Sequence, residues 1–208
     1  MNWLSRLSES SLSTKIALVT VVAWALVAAL GQQYWAYGFG GFIPERVNGD
    51  VVVPGALPVI LTPLSATLLH ADFMHIAFNM LLLWFCGRGV EEATGVRGLL
   101  ILYGFGAYVS AAGHYLFNMN DAGPMVGASG AVSAIVGAYA LLFSRAREGR
   151  GGWRHVASLA AAWIVIQLLI GLSSMGSPSR IAIMAHIFGF IAGLVLAKPL
   201  LLWRFRNA

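Results

Sequence analysis

The stretch "SRAREGRGGWRH", residues 144–155, places four arginines in twelve residues between two long apolar runs. Lys and Arg collect in the loops of a membrane protein that face the cytoplasm, whereas Asp and Glu carry little weight in orientation. The face of this loop therefore fixes the face of every other connection. That the chain lies in a membrane follows from its composition: of 208 residues, 59% are hydrophobic and only 10% charged, where a soluble domain averages about 25% charged. Apolar stretches near the length that crosses a bilayer, roughly 17 to 25 residues, occur at 16–37, 73–89, 98–117, 127–143, 155–175 and 181–203.

With the 144–155 loop inside, the inner basic residues are Arg6, Lys15, Arg88, Arg97, Arg145, Arg147, Arg150, Arg154, Lys198, Arg204 and Arg206, and the outer ones are Arg46 and Arg180. An odd number of spans would move Arg204 and Arg206 outside. Merging any two neighbouring spans before residue 144 would put the basic loop on the wrong face. The expected fold is all-α: a polytopic membrane protein of six transmembrane helices with both termini cytoplasmic. Residues 1–15 form an inner tail, 16–203 the membrane domain with a long outer loop at 38–72, and 204–208 a second inner tail.

The net charge of +5 is then a topology signal and a match to anionic inner-leaflet lipid, and it does not imply nucleic-acid binding. The first apolar run follows Arg6 and Lys15 as a secretory signal would, but it is long enough to stay and five spans follow it. The single cysteine, Cys86, excludes an internal disulfide and a cysteine-based metal cluster. The outer loop mixes Gly, Pro and apolar residues; too apolar for a solvated linker and too broken for a span, it is expected to lie in the interface.

Spans two, four and six all run from outside to inside, so their early residues share a depth. Ser129 is early in the fourth, His186 early in the sixth, and at ~1.5 Å per residue both lie within roughly 10 Å of the outer ends. The second contributes His75 and Asn79, four apart and on one helix face, with His70 just before it. Singly, each has a plain explanation: a serine in "GASG" is ordinarily packing, and a membrane histidine is often a structural hydrogen bonder. Their coincidence in one layer points to function, because polar residues inside a span are costly.

Such a set suits nucleophilic catalysis. A serine becomes a nucleophile when a histidine within hydrogen-bond reach takes its proton, and Asn79, His75 and the Ser129 backbone N–H could donate to an oxyanion. No carboxylate falls in the layer: Asp72 precedes the second span, Asp121 is in an outer loop, and Glu91 and Glu92 are at the inner face. A Ser-His dyad is implied. Gly127 and Gly130 flank the serine, and Gly189 with Gly193 makes a small-xxx-small pair that lets spans four and six approach closely. His114 and Gln167, in spans three and five, are expected to make helix-helix hydrogen bonds. No metal or cofactor is expected, since His70 and His75 lack the spacing and glutamate of an H-E-x-x-H site.

These residues resemble the rhomboid intramembrane serine proteases. The resemblance rests on "HADFMHIAFN" from His70 to Asn79, the "GRGVEEATG" after it, "GASGA" around Ser129 and "AHIFGFIAG" around His186, and it covers roughly residues 66–196. It implies Ser129 as nucleophile, His186 as general base, His75 and Asn79 in the oxyanion hole, and a supporting place for His70. Two features depart from the family. A Trp-Arg pair common in the first outer loop is replaced by Leu61 and Thr62, and the aromatic often found four after the nucleophile, where it packs on the histidine, is Ser133. Something else must orient the base.

The expected function is hydrolysis of peptide bonds in or beside transmembrane segments of protein substrates, near the outer face of a bacterial inner membrane. An inactive relative that binds transmembrane helices as an adaptor is the alternative, against which stands the presence of both Ser129 and His186. A compact rhomboid-like sorting protease acting on C-terminal anchors is a narrower variant. A transporter or channel would need polar residues through the whole thickness and usually internal repeats.

Overall fold

The computed structural model describes residues 11–143, 154, 157–158, 160–165, 167 and 182–206. Among these residues the architecture is helical, with an isolated antiparallel bridge between Phe42 and Met125. The helices are α1 (Leu12–Ala29), α2 (Gln33–Gly40), α3 (Pro44–Asn48), α4 (Thr62–Ser65), α5 (Phe73–Phe117), α6 (Ser129–Leu142) and α7 (Ile183–Arg204), with 3-10 turns at Val59–Leu61 and Ala66–Leu68. Helices α1, α5 and α7 are each long and apolar enough to cross a membrane. Their outward faces carry exposed Leu18, Val22, Leu26, Phe78, Leu81, Phe85, Ile191 and Val195, a coat suited to lipid. The chain is an integral membrane protein.

The 45 residues of α5 are two limbs, since Gly95 (φ 78°, ψ 169°) breaks the helix between them. In a straight helix His75 and Ser110 would stand roughly 50 Å apart at ~1.5 Å per residue. Instead His75 abuts Gly127 and Ser110 abuts Gly130, so the chain doubles back at a residue for which a positive φ carries no steric penalty. The limbs correspond to the second and third apolar runs of the sequence. At this corner Arg204 donates to the backbone carbonyls of Glu91 and Glu92, tying the end of α7 to the break.

The first helix differs from the sequence expectation of a span over 16–37. It starts at Leu12, where Ser11 caps Thr14 and Glu91 accepts from the Leu12 and Ser13 N–H groups at 2.8 and 3.0 Å. A carboxylate there satisfies orphan donors and complements the helix dipole. It stops at Ala29, because Gly31 turns left-handed (φ 63°) and α2 begins as a separate helix. The fifth apolar run, 155–175, lies partly outside the described residues, as do His155, Arg180 and all of the 144–155 loop except Arg154; residues 157–158, 160–165 and 167 are helical.

Leu83, Val90, Leu99, Leu102 and Ile135, all with no exposure, form the centre of a core between the α5 limbs, α6 and α7. Around it α6 and α7 touch backbone to backbone: a Cβ on Gly189 would fall on the Gly130 carbonyl oxygen, and one on Gly193 on that of Ala134. The 38–72 segment folds over the Ser129 end of the bundle. Phe42 and Met125 exchange backbone hydrogen bonds, Gly127 N–H donates to Ala66 O at 2.9 Å, and Tyr37 Oη donates to His70 O at 3.0 Å. Thr62, where the family often has a Trp-Arg pair, is fully buried and bonds Val59 O.

Candidate active site

Ser129 is the first residue of α6, entered through Gly127 at φ 120°. Its Oγ lies 2.7 Å from His186 Nε2 on the first turn of α7. Both residues, and His75, are half-buried, open enough for another molecule to reach and closed enough to limit water. The close seating of α6 on α7 is what lets a short serine side chain meet the imidazole.

His75 is packed against Gly127, close to the serine. A Cβ on Gly127 would lie 2.6 Å from His75 Cε1, 2.7 Å from its Nε2 and 3.7 Å from Ser129 Oγ, so the ring and the hydroxyl flank one glycine-lined space. Asp72 caps this helix by accepting from His75 N–H at 2.8 Å, which fixes the turn that carries the ring. Asn79, one turn further in and buried, donates from Nδ2 to His75 O at 2.8 Å. A primary amide has two N–H donors, so one is used within the helix.

His70 is almost fully buried, at 1% exposure. Its Nε2 accepts from Ala128 N–H at 3.3 Å, and its ring meets the His75 ring edge-on, centroids 4.9 Å apart. It thus braces both the loop that delivers Ser129 and the ring beside it. Burial, with a smaller contribution from His75, pushes its pKa down to about 3, against opposing effects of the Leu68 backbone and Asp72. His70 is therefore neutral at ordinary pH, as its acceptor role at Nε2 requires.

The other face of His186 is held by a residue the sequence assigned only to helix-helix hydrogen bonding: Nδ1 lies 2.6 Å from Gln167 Oε1. Ser133 turns away and donates to Ser129 O at 2.7 Å. His114 lies against Asn118, its Nδ1 3.3 Å from the amide nitrogen.

The family model described as Rhomboid domain matches residues 60–203, which include every residue of this cluster. The chain belongs to the rhomboid family. It is 33% identical over 147 residues to the rhomboid protease GlpG of Yersinia pestis (strain Pestoides F), covering 69% of this chain and 48% of that protein. To the rhomboid protease GlpG of Photorhabdus laumondii subsp. laumondii it is 33% identical over 133 residues, 62% of this chain and 44% of that one. The chain spans about half the length of these curated relatives.

Within this rhomboid cluster, Ser129, His186, His75, Asn79, His70, Gly127 and Gly130 gather at one end of the bundle, with Gly189 and Gly193 lining the α6–α7 seam. Gln167 joins them. Its only sequence signal is a strongly polar side chain inside an apolar run, which marks a buried partner without saying which one.

Proposed function

We propose that this rhomboid chain is an intramembrane serine endopeptidase in which Ser129 and His186 form a dyad, an assignment carried by the 2.7 Å contact between Ser129 Oγ and His186 Nε2. Oγ attacks the carbonyl carbon of a substrate peptide bond while its proton passes to Nε2. The carbonyl oxygen becomes an oxyanion, for which the Ser129 N–H, His75 and the second N–H of Asn79 are the donors at hand. Collapse of the intermediate breaks the C–N bond, the leaving amine takes the proton from Nε2, and water hydrolyses the acyl-serine with His186 again as base.

The substrates are transmembrane segments of membrane proteins. The site lies toward the outer face of a bacterial inner membrane, in a six-span topology with both termini cytoplasmic; the eleven-to-two division of basic residues supports this orientation. Half-exposed Ser129 and His186 at one end of the bundle suit a cavity that water enters, since irregular backbone at membrane depth is tolerated where protein encloses it.

The test is cleavage of a transmembrane reporter by the protein reconstituted in vesicles. Wild type should cut it, and Ser129→Ala and His186→Ala should each abolish cutting while remaining inserted and folded. An inactive adaptor would bind the reporter without cutting it in all three.

A further inference from the structure

We infer that Gln167 is the positioning residue of the catalytic base, holding His186 in the one tautomer that can accept the serine proton. The inference rests on Ser129 and His186 acting as proposed above. A carboxamide oxygen can only accept a hydrogen bond. With Gln167 Oε1 2.6 Å away, a neutral His186 must carry its proton on Nδ1 and donate it there. Nε2 is then the bare nitrogen, and it faces Ser129 Oγ. Were the amide nitrogen turned to the ring instead, Nδ1 would be the acceptor and Nε2 would carry the proton. Ser129 would then have no base.

The placement of Gln167 is built, not incidental. Trp163 and Gln167 are one turn apart on the same helix face, as are Phe190 and His186 on α7. They meet in two rungs: Trp163 stacks on Phe190 with centroids 5.7 Å apart and planes at 17°, and Gln167 meets His186. The aromatic rung fixes the register in which the polar rung closes. Gln167 is also only 5% exposed, so water does not readily replace its oxygen. Among the described residues, the titratable and hydrogen-bonding groups that act on His186 are Ser129 on α6, His75 and His114 on the two limbs of α5, and Gln167; of these, the acceptor aimed at Nδ1 is Gln167. Ser133 leaves the ring without an aromatic neighbour at the fourth position after Ser129, and the Gln167 contact supplies the orientation that such a neighbour would give.

The experiment is labelling of detergent-purified full-length protein by a fluorophosphonate, followed in time at several probe concentrations. Ser129 Oγ attacks phosphorus, fluoride leaves, and the hydroxyl proton passes to His186 Nε2. Gln167→Leu removes the acceptor with an apolar side chain that a membrane helix accepts readily, and Gln167→Glu keeps an acceptor oxygen at the same reach. General-base catalysis supplies about 10²- to 10⁴-fold, so Gln167→Leu should lower the first-order labelling constant by about 10- to 10³-fold. The probe concentration giving half-maximal rate should hold within about twofold, because uniform binding is untouched. Gln167→Glu should recover most of the loss. A wild-type labelling constant in Gln167→Leu, or equal slowness in the Leu and Glu variants, overturns the inference, because a packing role does not distinguish an acceptor from a methyl group. Wild type that fails to label, or Ser129→Ala that labels equally, removes the dyad beneath it whatever Gln167 does.

Discussion

Gly127 and His75 are packed so closely that no side chain fits between them: a Cβ on the glycine would fall within 2.7 Å of two atoms of the imidazole. The glycine also holds φ at 120°, a conformation that L residues rarely adopt. Gly127→Ala should therefore push the His75 ring off Ser129 and strain the turn into α6. A displacement of ~1 Å can cost about 10²-fold in rate, so cleavage should fall by about that factor while the variant still inserts. Wild-type cleavage by Gly127→Ala would mean that the ring's position is not used.

Glu91 works at the other end of the same limb. Its carboxylate bonds the Leu12 and Ser13 N–H groups and Ser13 Oγ, and it lies roughly 24 Å along the helix from His75. Glu91→Ala leaves these donors unsatisfied, which costs about 1–3 kcal/mol. A lower thermal midpoint is expected, with kcat per folded molecule unchanged. Thermal unfolding and turnover on one preparation separate the two effects, and a variant as stable as wild type would dismiss the cap.

The position of Asn79 predicts a transition-state contact. With one N–H on His75 O, the other is available as charge develops on the substrate oxygen. Asn79→Ala should lower kcat more than it changes KM. Removing one such donor costs about 10²- to 10³-fold elsewhere, and the remaining donors should hold the loss at the lower end or less. His75→Ala should behave alike, and the double variant should fall short of the product if both serve one oxygen. If Asn79 serves packing alone, the midpoint drops and kcat per folded molecule stays.

His70 gives the fold an acid sensitivity. Its folded pKa of about 3 lies below its ordinary 6.5, so between these values the unfolded chain binds a proton that the folded chain refuses. The stability it contributes is fully present above about pH 6.5 and is lost progressively as pH falls toward 3, by at most about 1.4 kcal/mol per unit. Thermal midpoints at pH 7.5 and 4.5 should differ more in wild type than in His70→Gln. Equal differences would remove His70 as the cause.

Long apolar runs made the limbs of α5, the helix α6 and the helix α7 legible in the sequence, and shared depth along the helices made the closeness of Ser129 and His186 legible. The end of α1 was not: the apolar run read over 16–37 extends past Ala29, and the helix stops where Gly31 turns left-handed. Its start at Leu12 depends on Glu91, 79 residues away, which no local pattern reports. The burial of His70 follows from the outer segment folding over it, through contacts such as Tyr37 to His70 O. Gln167 was visible as a polar residue in an apolar run. Its partner was set by the Trp163–Phe190 stack, a tertiary contact with no signature in either helix alone.

The most direct measurement is the identity of the side chain that carries the label after fluorophosphonate treatment, read by mass spectrometry of the digested protein. The dyad predicts a single adduct on Ser129, absent from Ser129→Ala and strongly reduced in His186→Ala. An adduct on neighbouring Ser110 or Ser133 instead, or labelling of Ser129 that does not depend on His186, would contradict it.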